Sequence, residues 1–75
     1  MNKYKTGDIV ELSPDSQWAG EGEHNPLHTP GTVLNFSKTL GYQVDWYGIG
    51  TNDQYYDTDL MPATKLGKLL LGVDT

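Results

Sequence analysis

The sequence has no cysteine, which excludes both a disulfide framework and a metal site built from thiolates. This composition suits the reducing cytoplasm, where we expect the protein to act. No apolar run approaches the roughly 20 residues that a membrane-spanning helix needs. The lysines near the N-terminus are not followed by an apolar segment, so the sequence predicts neither a secretory signal nor a membrane association.

Basic residues are also scarce, because 5 cationic residues face 10 aspartates and glutamates and the net charge is −5. Nine of the ten acids lie between Asp8 and Asp59, whereas four of the five lysines lie near the two ends. Binding to the phosphate backbone needs clustered basic residues, so nucleic acid is a disfavoured partner. The acidic middle favours solubility, and it could also present an acidic face to a basic partner.

Short strand patterns separated by turn residues predict an all-β domain. Tyr42, Val44 and Trp46 alternate with polar residues and should share one face of a strand. We assign four strands, joined by a long loop and two short turns: 7–12, 31–36, 42–46 and 51–56. Residues 57–60 predict one helical turn capped by Asp57 or Thr58, with Leu60 plugging one end of the core.

A chain of 75 residues forms one small domain with a modest core. Closing such a sheet would hide its edges, so we expect a small barrel of about five short strands over residues 1–62. Residues 63–75 form a C-terminal extension with two alternative structures. Leu66, Leu69, Leu70 and Val73 have helical spacing, but Gly67 and Gly72 oppose a helix, and an extra strand is equally compatible. The extension either packs on the barrel or mediates association with a second copy or another partner.

Several short motifs occur in the order seen in a known family. They are "GDIVEL", "WAG" from Trp18, "GTV" from Gly31, "VDW" from Val44 and "DL" from Asp59. Over residues 7–61 the chain resembles SH3-like barrels and is most similar to the Mind-bomb/Herc type of domain. The resemblance implies a non-enzymatic module that recognises a peptide or protein through aromatic and acidic surface residues.

Aromatic and acidic residues in the long loop and around the last hairpin supply a candidate binding site. An exposed aromatic ring beside carboxylates suits a peptide that contains arginine or lysine, through stacking and cation–π contact. Adjacent Tyr55 and Tyr56 would point to opposite faces of a strand, so only one of them can be fully buried. We therefore predict a groove lined by Trp18, Tyr47 and Tyr55 or Tyr56, and edged by Glu21, Glu23 and Asp53.

His24 and His28 invite a metal interpretation, because their spacing suits zinc when both lie on one helix. Pro26 lies between them, so a helix is disfavoured and the pair belongs to a solvated loop. The alternative is that the loop brings Glu21, Glu23 and both histidines onto one metal ion. The aspartates near the last strand have no cleft for acid–base chemistry in so small a domain, and no nucleophile motif occurs. We expect no cofactor and no enzymatic activity.

The sequence thus predicts a protein-interaction module whose partner carries basic residues. By analogy, an acidic chain of this length without cysteine is typical of accessory proteins of bacteria and their phages that bind and modulate a host protein. The alternative is a barrel associated with nucleic acid, or an inhibitor that mimics DNA with its acids.

Overall fold

A computed structural model describes residues 3–72. The extension's Val73 and the first two residues of the predicted barrel lie outside the described residues. Seven elements follow one another: β1 (Ile9–Leu12), β2 (Gly31–Ser37), β3 (Gly41–Trp46), β4 (Gly50–Tyr55), a 3₁₀ turn (Asp57–Asp59), β5 (Leu60–Pro62) and α1 (Lys65–Leu70).

The five strands form one antiparallel sheet in the order β4-β3-β2-β1-β5. The all-β prediction, with five short strands and one helical turn, is therefore confirmed. In the part of the chain that is described, β4 and β5 lie at the two edges of the sheet and do not pair with each other. No helix among residues 3–72 is long and apolar enough to cross a membrane.

The core lies on one face of this sheet and follows the alternation read from the sequence. On β3, Tyr42, Val44 and Trp46 are all buried, whereas Asp45 between them is exposed. The Trp46 ring packs over Gly31 of β2, where an added Cβ would lie 2.6 Å from Trp46 Cε3. Val10 and Leu12 from β1, Val33 from β2, Tyr55 from β4 and Leu60 from β5 complete the cluster.

A tyrosine pair ties the segment before β1 to the sheet. The Tyr4 backbone N–H donates to the Tyr42 hydroxyl at 3.1 Å, and the Tyr4 hydroxyl donates to the Leu60 carbonyl at 3.2 Å. Their ring centroids lie 5.7 Å apart in an edge-to-face arrangement. The Tyr42 hydroxyl in turn donates to Asp57 Oδ1 at 2.6 Å. The buried polar ends of both rings are therefore hydrogen-bonded, as burial requires.

The helical turn forms where it was predicted, but its cap differs from the prediction. Asp59 at the end of the turn reaches back, and its Oδ2 accepts the Tyr56 backbone N–H at 2.9 Å. Neither Asp57 nor Thr58 provides this bond. Leu60 is buried as predicted, and it also begins β5, a strand not assigned from the sequence. β5 is only three residues long and ends at Pro62, which suits an edge strand because proline cannot donate to a ladder.

The extension forms a helix, so the extra-strand alternative is wrong for its described residues. Thr64 caps the N-terminus of α1, and its Oγ1 accepts the Gly67 backbone N–H at 3.1 Å. Both the Thr64 backbone N–H and its hydroxyl donate to Oε2 of Glu11 at 2.7 Å, which fastens α1 to β1. An added Cβ on Gly67 would collide with that same carboxylate, so glycine permits the close approach at a position where helix propensity opposes it.

Two glycines have nearly equal positive φ values but different surroundings. Replacing each of them by alanine therefore distinguishes the cost of backbone strain from the cost of a steric clash. Gly41 has φ +69 and Gly48 has φ +73, but an added Cβ at Gly41 would collide with the Tyr55 carbonyl, whereas at Gly48 it would meet open space. We expect Gly48→Ala to lower the free energy of unfolding by about 1 kcal/mol and Gly41→Ala by roughly 3–4 kcal/mol. Urea denaturation of both variants measures the difference. Equal losses of stability in the two variants would mean that the Gly41 backbone does not lie against the Tyr55 carbonyl.

Candidate functional site

The long loop between β1 and β2 (residues 13–30) is folded by its own backbone hydrogen bonds. The Ala19 N–H donates to the Ser16 carbonyl at 3.1 Å, and the Glu21 N–H donates to the Trp18 carbonyl at 2.9 Å. The Gly20 N–H closes a wider turn by donating to the Asn25 carbonyl at 3.2 Å. Consecutive closed turns make a compact surface loop, so the side chains it carries have defined positions.

The Tyr55 hydroxyl fastens the middle of this loop to the sheet. Only 1% of Tyr55 is exposed, and its hydroxyl accepts from Trp46 Nε1 at 3.1 Å and from Asn52 Nδ2 at 3.0 Å. It donates to Asn25 Oδ1 at 2.6 Å, and the His24 carbonyl oxygen lies 3.1 Å away. Asn52 Nδ2 also donates to that carbonyl at 3.1 Å. One phenol therefore connects the core, β4 and the loop.

The Asp59 carboxylate fastens the beginning of the loop. It is buried, and its Oδ1 accepts the Ser16 hydroxyl at 2.7 Å while its Oδ2 accepts the Tyr56 N–H. The Ser16 hydroxyl oxygen then accepts the Trp18 backbone N–H at 3.1 Å. Through this short chain of hydrogen bonds, one carboxylate sets the backbone positions of two exposed aromatic residues, Trp18 and Tyr56.

A small cavity of about 130 Å³ lies between the long loop and β4, and we call it the Trp18 cleft. Its walls come from Trp18 and Asn25 of the loop and from three consecutive residues of β4: Asn52, Asp53 and Gln54. The β3–β4 register shifts here, since Val44 faces Asn52 but Tyr42 faces Tyr55.

The register shift is a β-bulge centred on Asp53 and Gln54. Gln54 has φ +73, an unusual conformation for a residue with a side chain. The extra residue lets Tyr55 return to the core while Asp53 and Gln54 line the cleft, so the bulge builds this wall. Strained residues of this kind often mark functional sites.

The cleft combines an aromatic residue with an acidic one. Trp18, which is 37% exposed, and the half-buried Asp53 both line it. Glu21 and Glu23 are exposed on the same loop as Trp18. A positive group within about 6 Å of a tryptophan face is attracted by the ring, and a nearby carboxylate adds to the attraction.

The structure brings some of the predicted groove residues together and separates others. Trp18 and Asp53 share the cleft, and Tyr56, which is 48% exposed, is linked to Trp18 through Asp59. Of the two predicted alternatives, Tyr55 and Tyr56, Tyr55 does not line the groove. Its ring lies in the core and supports the loop from beneath. Tyr47 is exposed at the β3–β4 turn but does not line the cleft.

Sequence reasoning missed the polar residues that build the site. Asn25, Asn52 and Gln54 form the walls, and Ser16 and Asp59 hold Trp18 in place. Only Ser16 had a local signal, since a serine after "SPD" predicts a turn that its hydroxyl can close. The asparagines act through loop–strand contacts that no local pattern reveals.

The two histidines lie exposed in the long loop. His24 contributes its backbone carbonyl to the bonds described above, and His28 has φ +60. Among residues 3–72, no group of three or more histidine, aspartate or glutamate side chains is arranged to hold a metal ion. The alternative in which Glu21, Glu23 and both histidines share a metal is therefore not the arrangement seen.

Comparisons of the chain with protein-family models, with curated proteins and with solved structures found no match.

Removing the Tyr55 hydroxyl should loosen the loop without disturbing the core. Tyr55→Phe keeps the buried ring but leaves Trp46 Nε1 and Asn25 Oδ1 without their partner, so we expect a loss of about 2–3 kcal/mol in the free energy of unfolding. Amide hydrogen exchange should become faster in residues 18–25. Tyr56→Phe is the matched control and should change stability by no more than about 0.5 kcal/mol. Equal behaviour of the two variants would contradict the role given to Tyr55.

Alkaline pH should destabilise the fold through two buried phenols. Burial raises the pKa of Tyr55 and of Tyr42 above the ordinary value of 10.0, and for Tyr42 the hydrogen bond to Asp57 raises it further. The folded state then holds protons that the unfolded state releases, so this contribution to stability is complete below pH 10.0 and is lost as pH rises through the folded-state pKa values.

Urea midpoints measured between about pH 8 and pH 11 test this dependence. Tyr42→Phe and Tyr55→Phe should each reduce the fall in stability above pH 10.0, whereas Tyr56→Phe should leave it unchanged. An identical fall in all three variants would show that these phenols do not cause it.

Proposed function

We propose that the protein is a non-enzymatic interaction module that binds a peptide or protein segment through a basic side chain held in the Trp18 cleft. The observation that carries the proposal is that the exposed Trp18 and the half-buried Asp53 line one cavity of about 130 Å³. A lysine or arginine head group can stack on the ring and pair with the carboxylate in that space. Glu21 and Glu23 would attract the same segment over a longer distance.

The rigidity of the site supports the same interpretation. A binding surface gains affinity when its residues do not have to be ordered on association. The Asp59 and Tyr55 hydrogen bonds hold the loop from two sides, and each is made by a buried residue. The backbones of the exposed residues Trp18 and Tyr56 are therefore already held in position in the free protein.

The proposal extends to the architecture. The sheet order β4-β3-β2-β1-β5, the helical turn before β5 and a core shared by all five strands support an SH3-like barrel of the Mind-bomb/Herc type. Such a barrel would present the long loop and the bulged end of β4 as its binding surface. The residues "VDW" and "DL" would then be structural, since Trp46 packs in the core and Asp59 anchors the loop.

Short peptides with a single basic residue in a Gly-Ser context test the site. Addition of an arginine or lysine peptide should shift the backbone amide resonances of Asn52, Asp53 and Gln54, and the matched norleucine peptide should not. Trp18→Ala and Asp53→Asn should each weaken binding roughly tenfold, the size expected from losing one cation–π or ion-pair contact.

Two controls make the experiment decisive. Tyr47→Ala removes an exposed aromatic residue outside the cleft and should leave peptide binding unchanged. The melting temperatures of the Trp18 and Asp53 variants should match the parent, since both side chains lie outside the core. Binding of single-stranded DNA in preference to the basic peptides, or a Trp18→Ala variant that binds normally, would overturn the proposal.

A further inference from the structure

Three leucines of α1 are exposed although the helix is firmly attached. Leu66, Leu69 and Leu70 are 70%, 62% and 48% exposed, and we call them the leucine face. A helix of six residues is not stable in isolation, so α1 depends on its attachment to the sheet. That attachment uses the opposite side of the helix, where Gly67 contacts Glu11. The contacts that attach α1 to the sheet therefore leave its apolar side facing outward.

The charge beside the leucine face restricts what can cover it. Lys65 and Lys68 are the charged residues of α1, and the helix has no acid. Pairing of α1 with α1 of another copy would bring lysines together, which is unfavourable. The rest of the chain is strongly acidic, since the whole carries 10 acids against 5 cations. The surface that complements α1 is therefore acidic and partly apolar.

The Trp18 cleft of a second copy has these properties. Trp18 and Asp53 line the cleft and supply aromatic surface and negative charge. The exposed Tyr56 is connected to Trp18 through Asp59 and Ser16, and the exposed Glu21 donates its backbone N–H to the Trp18 carbonyl. Lys65 is exposed, whereas Lys68 is half-buried beside Lys3 and Asp8, so Lys65 is the lysine free to enter a cleft. The chain's own cleft does not cover its leucine face, because the three leucines are exposed in the folded monomer.

We infer that the protein self-associates by placing Lys65 of one copy in the Trp18 cleft of another, with the leucine face against the surface beside that cleft. This inference rests on the proposed function, because it names the basic segment that the cleft binds. The cleft then serves as an assembly surface, and a foreign basic peptide would compete with α1 for it.

Sedimentation velocity from about 10 μM to about 1 mM, a range that covers weak protein–protein contacts, measures the self-association. We expect the parent to shift to larger species with concentration, and Leu69→Glu and Trp18→Ala each to raise the dissociation constant at least roughly tenfold. Leu40→Glu alters a leucine that is 45% exposed on the β2–β3 hairpin, and it should have no effect. Circular dichroism should show the same fold in every variant.

A charge exchange tests the pairing itself. Lys65→Glu and Asp53→Lys should each weaken association, and the protein carrying both changes should recover it. A merely structural role of either residue would not produce recovery. A parent that stays monomeric, an association that Trp18→Ala does not weaken, or a double variant that fails to recover would each overturn the inference.

Two further measurements distinguish self-association from peptide binding in the Trp18 cleft and from membrane binding. If Leu69→Glu remains monomeric and still binds the arginine peptide, the cleft functions as proposed and the parent's behaviour alone decides the inference. If the peptide fails to bind and the parent is monomeric, both proposals fail. Cosedimentation of the monomeric parent with phosphatidylserine vesicles, lost in Leu69→Glu, would assign the leucine face to a membrane and overturn self-association.

Discussion

The Asp59 carboxylate is 6% exposed and accepts a hydrogen bond on each of its oxygens, one from Ser16 and one from Tyr56. The Asp59 carbonyl also accepts the Ser13 N–H at 2.8 Å, which continues the alignment of β1 with β5. A buried charge is tolerated only when its hydrogen bonds are complete, so the positions of both donors are tightly specified. These hydrogen bonds consequently hold together the loop, the helical turn and the two exposed aromatic residues. Removal of this carboxylate would displace the loop and the two exposed aromatic residues more than it would disturb the core.

Tyr55 performs the corresponding role on the other side of the loop, with a neutral group in place of a charge. Its ring contacts Trp46 edge-to-face with centroids 5.6 Å apart, and its hydroxyl carries the link to Asn25 and Asn52. Core and surface are thereby joined through a single side chain. In a domain this small the core has little area to spare, so Tyr55, which supports the long loop, also contributes to the stability of the core.

The main strands could be predicted from the sequence because their signal is local. Alternation at Tyr42, Val44 and Trp46 reflects the two faces of one strand, and the adjacent pair Tyr55 and Tyr56 divides between core and surface as the geometry of a strand requires. β5 escaped prediction because its three residues are too few for a pattern and its existence depends on pairing with β1.

The candidate site was predicted only in part, for the same physical reason. Trp18 and Asp53 could be found as an aromatic residue and an acid in suitable regions, but their proximity depends on the bulge at Gln54 and on the asparagines that connect loop and strand. The helix of the extension was one of two alternatives. Its outward leucines could not be foreseen, because they follow from the contact between Gly67 and Glu11, which are distant in sequence.

The bulge at Gln54 also interrupts the β4 edge of the sheet. An open sheet exposes unpaired backbone groups at its edges, and these can recruit strands from other molecules into aggregates. At one edge, β4 is polar and interrupted by a residue with positive φ, so a straight strand cannot align along it. At the other edge, β5 is three residues long and ends in proline. Both edges are thus poor templates for pairing with strands of other molecules.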